Sequence, residues 1–214
     1  MIISHKLQLF HVHVPKTGGT TINAVIKSWD PSAENLTERG HEPLSFIANT
    51  FPKIFSEYLS IACVRNPWAR VVSLYDYRKI SIDRIPQGGW PPHWPSRDQV
   101  NSMSFHEFLN EAMVEDECEI CPPRDAEKCV WLEPSCSAWI SIGRKIAIDR
   151  VLRTETLGDD LKKLGSELGV TGRDIPRLNQ GVKRNYQDAY DRSQREFVGK
   201  RYDIDVENFG YRFN

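Results

Sequence analysis

Within Pro15-Lys16-Thr17-Gly18-Gly19-Thr20-Thr21 the chain gathers one fixed positive charge, two adjacent glycines and three hydroxyls. A short, largely apolar run, Leu9 to Val14, enters this segment, and Ile22-Asn23-Ala24-Val25-Ile26 leaves it with helical spacing. A strand, a tight glycine turn and a helix start bring bare backbone N–H groups and the positive helix end to one point. Glycines let the backbone approach an anion closely, threonines add donors, and the lysine adds a full charge. Such a loop suits a phosphate or a sulfate. It is not the Walker loop, which ends in Gly-Lys-Ser/Thr. Here Lys16 precedes both glycines.

A second group lies in Val64-Arg65-Asn66-Pro67, followed by Arg70 and Ser73. Arg65 closes an apolar run, Leu59 to Val64, and so falls at the carboxyl edge of a strand, where open α/β sheets bind ligands. An arginine fork and a hydroxyl converging on one oxyanion make a second anion site. Arg70 is a secondary candidate there and serves equally well as a structural helix arginine. Six histidines are available for proton transfer. His41 sits in a polar loop between the first helix and the second strand, His13 just before Pro15, and His11 two residues earlier on the same strand face. His93 lies in an aromatic, proline-rich loop, whereas His5 and His106 read as peripheral.

These residues need elements to hold them. The pattern predicts a first strand over about 7–14, a helix to about Trp29, and a polar loop over 30–43. Helical spacing over 44–55 is interrupted by Pro52, and a buried strand follows over 59–64. Asn66 and Pro67 supply an N-cap and a first-turn proline for a helix running from Trp68 to about Lys79. A long loop is expected over 80–100, a helix over 104–116, and another over 131–142. A third strand is expected over 146–152, then a helix over 155–168 stopped by Gly169. The tail, 173–214, reads as polar and basic. Alternation of strand and helix implies an α/β fold with a parallel central sheet.

The 214 residues fit one domain over 1–214, with 40% hydrophobic and 27% charged residues and a formal charge of −1. That balance argues against a general nucleic-acid or membrane-surface binder, and no apolar stretch has the length of a membrane span. The first residues, broken by His5, Lys6, Gln8 and His11, do not read as a secretory signal, so a cytoplasmic protein is expected, or a catalytic domain from a longer one. Cys63 reads as a buried thiol. Cys118 and Cys121 have zinc-knuckle spacing, but Cys129 and Cys136 do not form a second such pair, and free thiols or one disulfide fit them better.

Both basic segments resemble those of a known family. Pro15 to Thr21 resembles the 5′-phosphosulfate loop of sulfotransferases, and Val64-Arg65-Asn66-Pro67 through Ser73 resembles their 3′-phosphate motif. The carbohydrate type is the closest in pattern, including heparan-sulfate 2-O-, chondroitin-type and small bacterial members. Arg39-Gly40-His41 with Phe46 resembles the segment of its catalytic histidine. Asp149 to Leu157, then Asn179, Tyr186, Tyr202-Asp203, Asp205 and Phe209-Gly210-Tyr211, resemble its later parts. The resemblance implies a P-loop-like three-layer fold, a central, mostly parallel sheet flanked by helices. It also implies 3′-phosphoadenosine-5′-phosphosulfate (PAPS) as co-substrate and a hydroxyl acceptor, carbohydrate or glycolipid.

On that resemblance Lys16, Thr17, Gly18, Gly19, Thr20 and Thr21 hold the 5′-phosphosulfate, and Lys16 stabilises the departing phosphate. Arg65 and Ser73 hold the 3′-phosphate, and His41 is the base. No metal is required, because positioning and electrostatics carry such a transfer. The alternatives are a P-loop kinase or NTPase, which the Walker pattern does not support, and a nucleotide-binding module without catalysis.

Overall fold

Polar breaks and proline or glycine stops divide the chain into β1 (Ile2–Ser4), β2 (Leu9–Val12), α1 (Gly19–Trp29), β3 (Glu34–Asn35), α2 (Leu44–Thr50), α3 (Pro52–Glu57) and β4 (Leu59–Val64). There follow α4 (Pro67–Arg84), α5 (Arg97–Ser102), α6 (Phe105–Asp116), α7 (Cys136–Ile140), β5 (Ser141–Ile142), β6 (Lys145–Ile146), β7 (Arg150–Arg153), α8 (Leu157–Glu167), α9 (Arg192–Arg201) and α10 (Asp203–Phe209). The computed structural model describes residues 1–38, 40–86, 89, 91, 94–116, 131–170 and 185–214. They gather into a sheet unit, residues 1–65 and 136–180, and a helical unit, residues 66–135 and 181–214.

In the sheet unit five strands run in the order β3-β1-β2-β4-β7. The pairs β2/β4 and β4/β7 are parallel, with Leu9 opposite Leu59 and Ile61 opposite Arg150. Only β1 is reversed, pairing antiparallel with both β2 and β3. The sheet is thus mostly parallel. The central strands β2 and β4 are buried on both faces, the condition under which parallel sheets occur. On one face Leu9, Ile61, Cys63 and Leu152 meet Ile22, Val25, Ile26 and Trp29 of α1, with Leu161 and Leu164 of α8. Each such aliphatic side chain contributes about 1.5–3 kcal/mol by leaving water. The opposite pleat, Phe10, Val12, Ala62 and Val64, is equally buried.

Three expectations change here. Residues 1–14 form a hairpin and not one strand, because the polar His5-Lys6-Leu7-Gln8 stretch turns back, with Gln8 at φ 46° and its N–H donating to the His5 carbonyl. The single strand over 146–152 is two elements. Lys145–Ile146 pairs with Ser141–Ile142 across a left-handed Gly143, and Arg150–Arg153 joins the main sheet. Between them Asp149 turns its carboxylate onto the Ser60 N–H and hydroxyl, at 2.8 and 2.6 Å, which ends β6 and starts β7. The helix over 131–142 shrinks to α7, which starts after Pro134. By contrast α8 stops as the sequence predicts. Gly169 takes φ 69°, its N–H donates to Ser166 and that of Val170 to Gly165, a Schellman close.

The helical unit has an aromatic core built by Trp68 and Tyr75 of α4, Phe105 and Phe108 of α6, Trp131, and Val198 and Tyr202 at the end of α9. Tyr75 meets Phe105 and Phe108 edge-on at 5.5 Å, the favoured geometry for such rings. Asn66 caps α4 as expected, accepting from the Trp68 and Ala69 N–H groups. The helix passes Lys79 and continues to Arg84, and α5 starts at Arg97, so both ends of the expected 80–100 loop are helical. The polar tail contains α9 and α10, which the sequence reading left unassigned.

Candidate active site

The loop between β2 and α1 is wound left-handed twice, at Lys16 (φ 66°) and Gly18 (φ 90°). Glycine adopts that conformation freely, whereas for Lys16 it costs about 1–2 kcal/mol. Hydrogen bonds hold it there. Arg65, just past β4, donates from Nη1 to the Lys16 carbonyl at 3.2 Å. Thr17 is fully buried, and its hydroxyl donates to the Val14 carbonyl at 2.9 Å. From the end of β7, the Thr154 hydroxyl lies 2.9 Å from the Thr17 carbonyl and 3.1 Å from that of Val64. The neighbouring carboxyl ends of β2, β4 and β7 are thereby tied at one edge.

Gly18 is the N-cap of α1, and no side chain among the described residues caps this helix start. The Thr21 N–H closes onto the Gly18 carbonyl at 3.0 Å, and the positive end of the helix falls at the loop. Thr20 is exposed there and Thr21 half-buried. The Thr17 hydroxyl, given to the Val14 carbonyl, serves the turn.

Gly19 has a different reason to be glycine. A Cβ on it would lie 2.0 Å from His13 Cδ2 and 2.1 Å from His13 Nε2, so the imidazole occupies the space a side chain needs. Burial first, then His11, His41 and the Lys16 charge, hold the His13 pKa down to about 2. Burial likewise holds His11 down to about 3, while its Nδ1 bonds Asn23 Oδ1 on α1 at 2.8 Å. Both are neutral near pH 7 and unsuited to act as the base. His41 differs. It is exposed, its ring stands 4.2 Å from that of His13, and its Nδ1 lies 3.1 Å from the His13 carbonyl. A carbonyl only accepts, so Nδ1 carries the proton and Nε2 is the basic nitrogen.

The structure therefore brings Lys16, Gly18, Gly19, Arg65 and His41 to one edge of the sheet unit. Ser73 stands half-buried on α4 in the helical unit. Arg70, on the same helix, is buried and donates to the Pro134 carbonyl at 2.5 Å, the structural alternative named for it. His5 bonds the Tyr58 hydroxyl at 2.8 Å, and His106 lies 3.7 Å from Asp191, both peripheral. Arg39, Trp90, His93, Asn179, Lys183 and Arg184 lie outside the described residues, as do Cys118, Cys121 and Cys129. Cys136 is a buried thiol, and burial pushes the Cys63 thiol well up. Among the described residues no His, Cys, Asp and Glu cluster fits a metal ion, and no helix is long and apolar enough to cross a membrane. Sequence reasoning missed Thr154 and the two roles of His13, as strut against α1 and as acceptor for His41.

A mostly parallel sheet flanked by helices, with a glycine–lysine loop leading into α1, defines an α/β protein of the P-loop-like kind. A sulfotransferase family model matches residues 1–212, and the chain belongs to that family as a family 2 sulfotransferase. No curated protein sequence matches the chain. Among solved structures, the mouse sulfotransferase SULT7A1 complexed with PAP is similar in fold, with TM-score 0.55 and 14% identity over 96% of this chain and 91% of that one. A sulfotransferase from Alicyclobacillus acidocaldarius aligns with TM-score 0.44 and 13% identity over 96% of each chain.

Proposed function

We propose that this sulfotransferase moves the sulfuryl group of PAPS to a hydroxyl of a carbohydrate or glycolipid, as one domain over 1–214. The observation that carries the reading is His41, with its Nδ1 proton committed to the carbonyl of His13, two residues before the loop. That leaves Nε2 to take the acceptor proton. In the transfer the acceptor oxygen bonds to sulfur, its proton passes to His41 Nε2, and the bond from sulfur to the bridging phosphate oxygen breaks. PAP departs with the electron pair.

Backbone N–H groups of Gly18, Gly19 and Thr20, with the Thr20 and Thr21 hydroxyls, hold the 5′-phosphosulfate at the start of α1. Lys16 neutralises the bridging oxygen as charge develops on it. Arg65 and Ser73 take the 3′-phosphate, as the family pattern assigns them. Arg65 is then also the residue that fixes Lys16, so the group reading the 3′-phosphate shapes the loop reading the 5′ end. The PAP held by the structurally similar mouse enzyme supports this choice of donor. None of these roles needs a metal ion. The test is His41→Ala, which is expected to bind PAP as the parent does and to lose transfer by about 10²–10⁴-fold. Turnover like the parent's removes His41 from the role.

A further inference from the structure

His13 touches both halves of the chemistry proposed above. Its ring fills the space over Gly19, the first residue of α1, and its centroid lies 4.2 Å from that of the His41 ring. Its carbonyl accepts the His41 Nδ1 proton. Below it, His11 stacks at 5.6 Å with the planes 28° apart, and reaches α1 again through Asn23. The periods match. His11 and His13 are two apart and share one face of the strand leaving β2, while Gly19 and Asn23 are four apart and share one face of α1. The imidazoles form a ladder from the buried strand to the exposed His41, pinned to the helix at two successive turns.

We propose that His13 is a positioning residue: a flat spacer that sets the base, His41, at a fixed distance and orientation from the α1 start that holds the donor. This rests on the reading of His41 and α1 above. A neutral ring suits the task, since a charged one beside Lys16 would oppose both the lysine and a protonated His41. Contact with both Gly19 and His41 explains why a side chain so close to a helix start is a wide planar one. Leaving Gly19 bare lets the helix approach within contact of that ring.

Nitrogen-15 NMR of His41, paired with calorimetric titration of PAP, tests the spacer in the full chain. The parent is expected to give the pattern of a single Nδ1-protonated His41. His13→Phe, which keeps a flat ring in the same space, is expected to preserve it. His13→Ala is expected to give tautomer-averaged His41 signals while PAP still binds. A His13→Ala protein with the parent's His41 pattern would overturn the proposal, as would tautomer averaging in a folded His13→Phe. Loss of PAP binding in step with the His41 change would also overturn it, because the ring would then be serving the donor loop alone. Should His13→Ala fail to fold, His13→Phe carries the decision. The functional reading fails separately: a parent with the expected His41 pattern and no PAP binding sinks the donor assignment and leaves the spacer intact.

Discussion

The starts of α1 and α4 solve the same problem in opposite ways. Both must deal with four N–H groups that have no carbonyl partner within the helix. At α4, Asn66 accepts from the Trp68 and Ala69 N–H groups at 3.1 and 3.3 Å, and Pro67 removes a further donor. The Asn66 amide also donates to the Arg212 carbonyl at 2.8 Å, so this end is closed by protein. At α1 the cap is a left-handed glycine with no side chain to accept. A glycine in place of a side-chain cap forgoes only about a few tenths of a kcal/mol, and Lys16 adds backbone strain of about 1–2 kcal/mol beside it. An anion at that position returns more than was forgone, through several charge-assisted hydrogen bonds at once. The difference separates a helix start closed by its own protein groups, α4, from one that the proposed function makes the seat of the donor, α1.

Several substitutions break or sharpen that contrast. Lys16→Ala removes the charge from the open end and is expected to lower transfer by about 10²–10³-fold, with folding barely altered. Initial rates beside thermal unfolding check it, and a matching loss of stability would mean that the lysine is structural. Gly19→Ala puts a methyl 2.0 Å from the His13 ring, and overpacking of this kind costs about 1–3 kcal/mol. Urea unfolding measures that cost, which should fall once His13→Ala is added, since the clash partner is gone. Asn66→Ala opens the closed end. It is expected to cost about 1–2 kcal/mol, because two donors and an acceptor lose their partner together.

The smallest effect is one of pH. The folded pKa of His11 lies below its unfolded value, so the unfolded chain binds more protons at mildly acid pH, and stability falls as pH drops below about 6.5. Between pH 6.5 and 5.5 this single buried histidine is expected to cost about 1 kcal/mol. His11→Asn should flatten the pH dependence of the urea midpoint by that amount. An unchanged slope would place the titrating group elsewhere.

The loop and the capped start of α4 were legible because their chemistry is written in residue types. Gly18, Gly19 and Lys16 announce one helix start, Asn66 and Pro67 the other, and β4 was read with its observed limits. What escaped the sequence was set by partners distant in the chain. Thr154 has no pattern of its own, and its role exists only because β7 lies beside β4. The His13 strut needs α1 folded back on β2. The turn at His5 to Gln8 looked like a polar interruption, yet β1 pairs back onto β2 and is buried throughout. The helix α9 was missed through its low apolar content, although Asp191 caps it by accepting from Gln194 N–H at 2.8 Å.

The most direct measurement is calorimetry of PAP against ATP with magnesium on the unmodified chain. The account predicts metal-independent binding of PAP, with ATP weaker and unaffected by magnesium. A site that prefers ATP with magnesium, or ignores PAP, would contradict the reading of α1 as the seat of a sulfuryl donor.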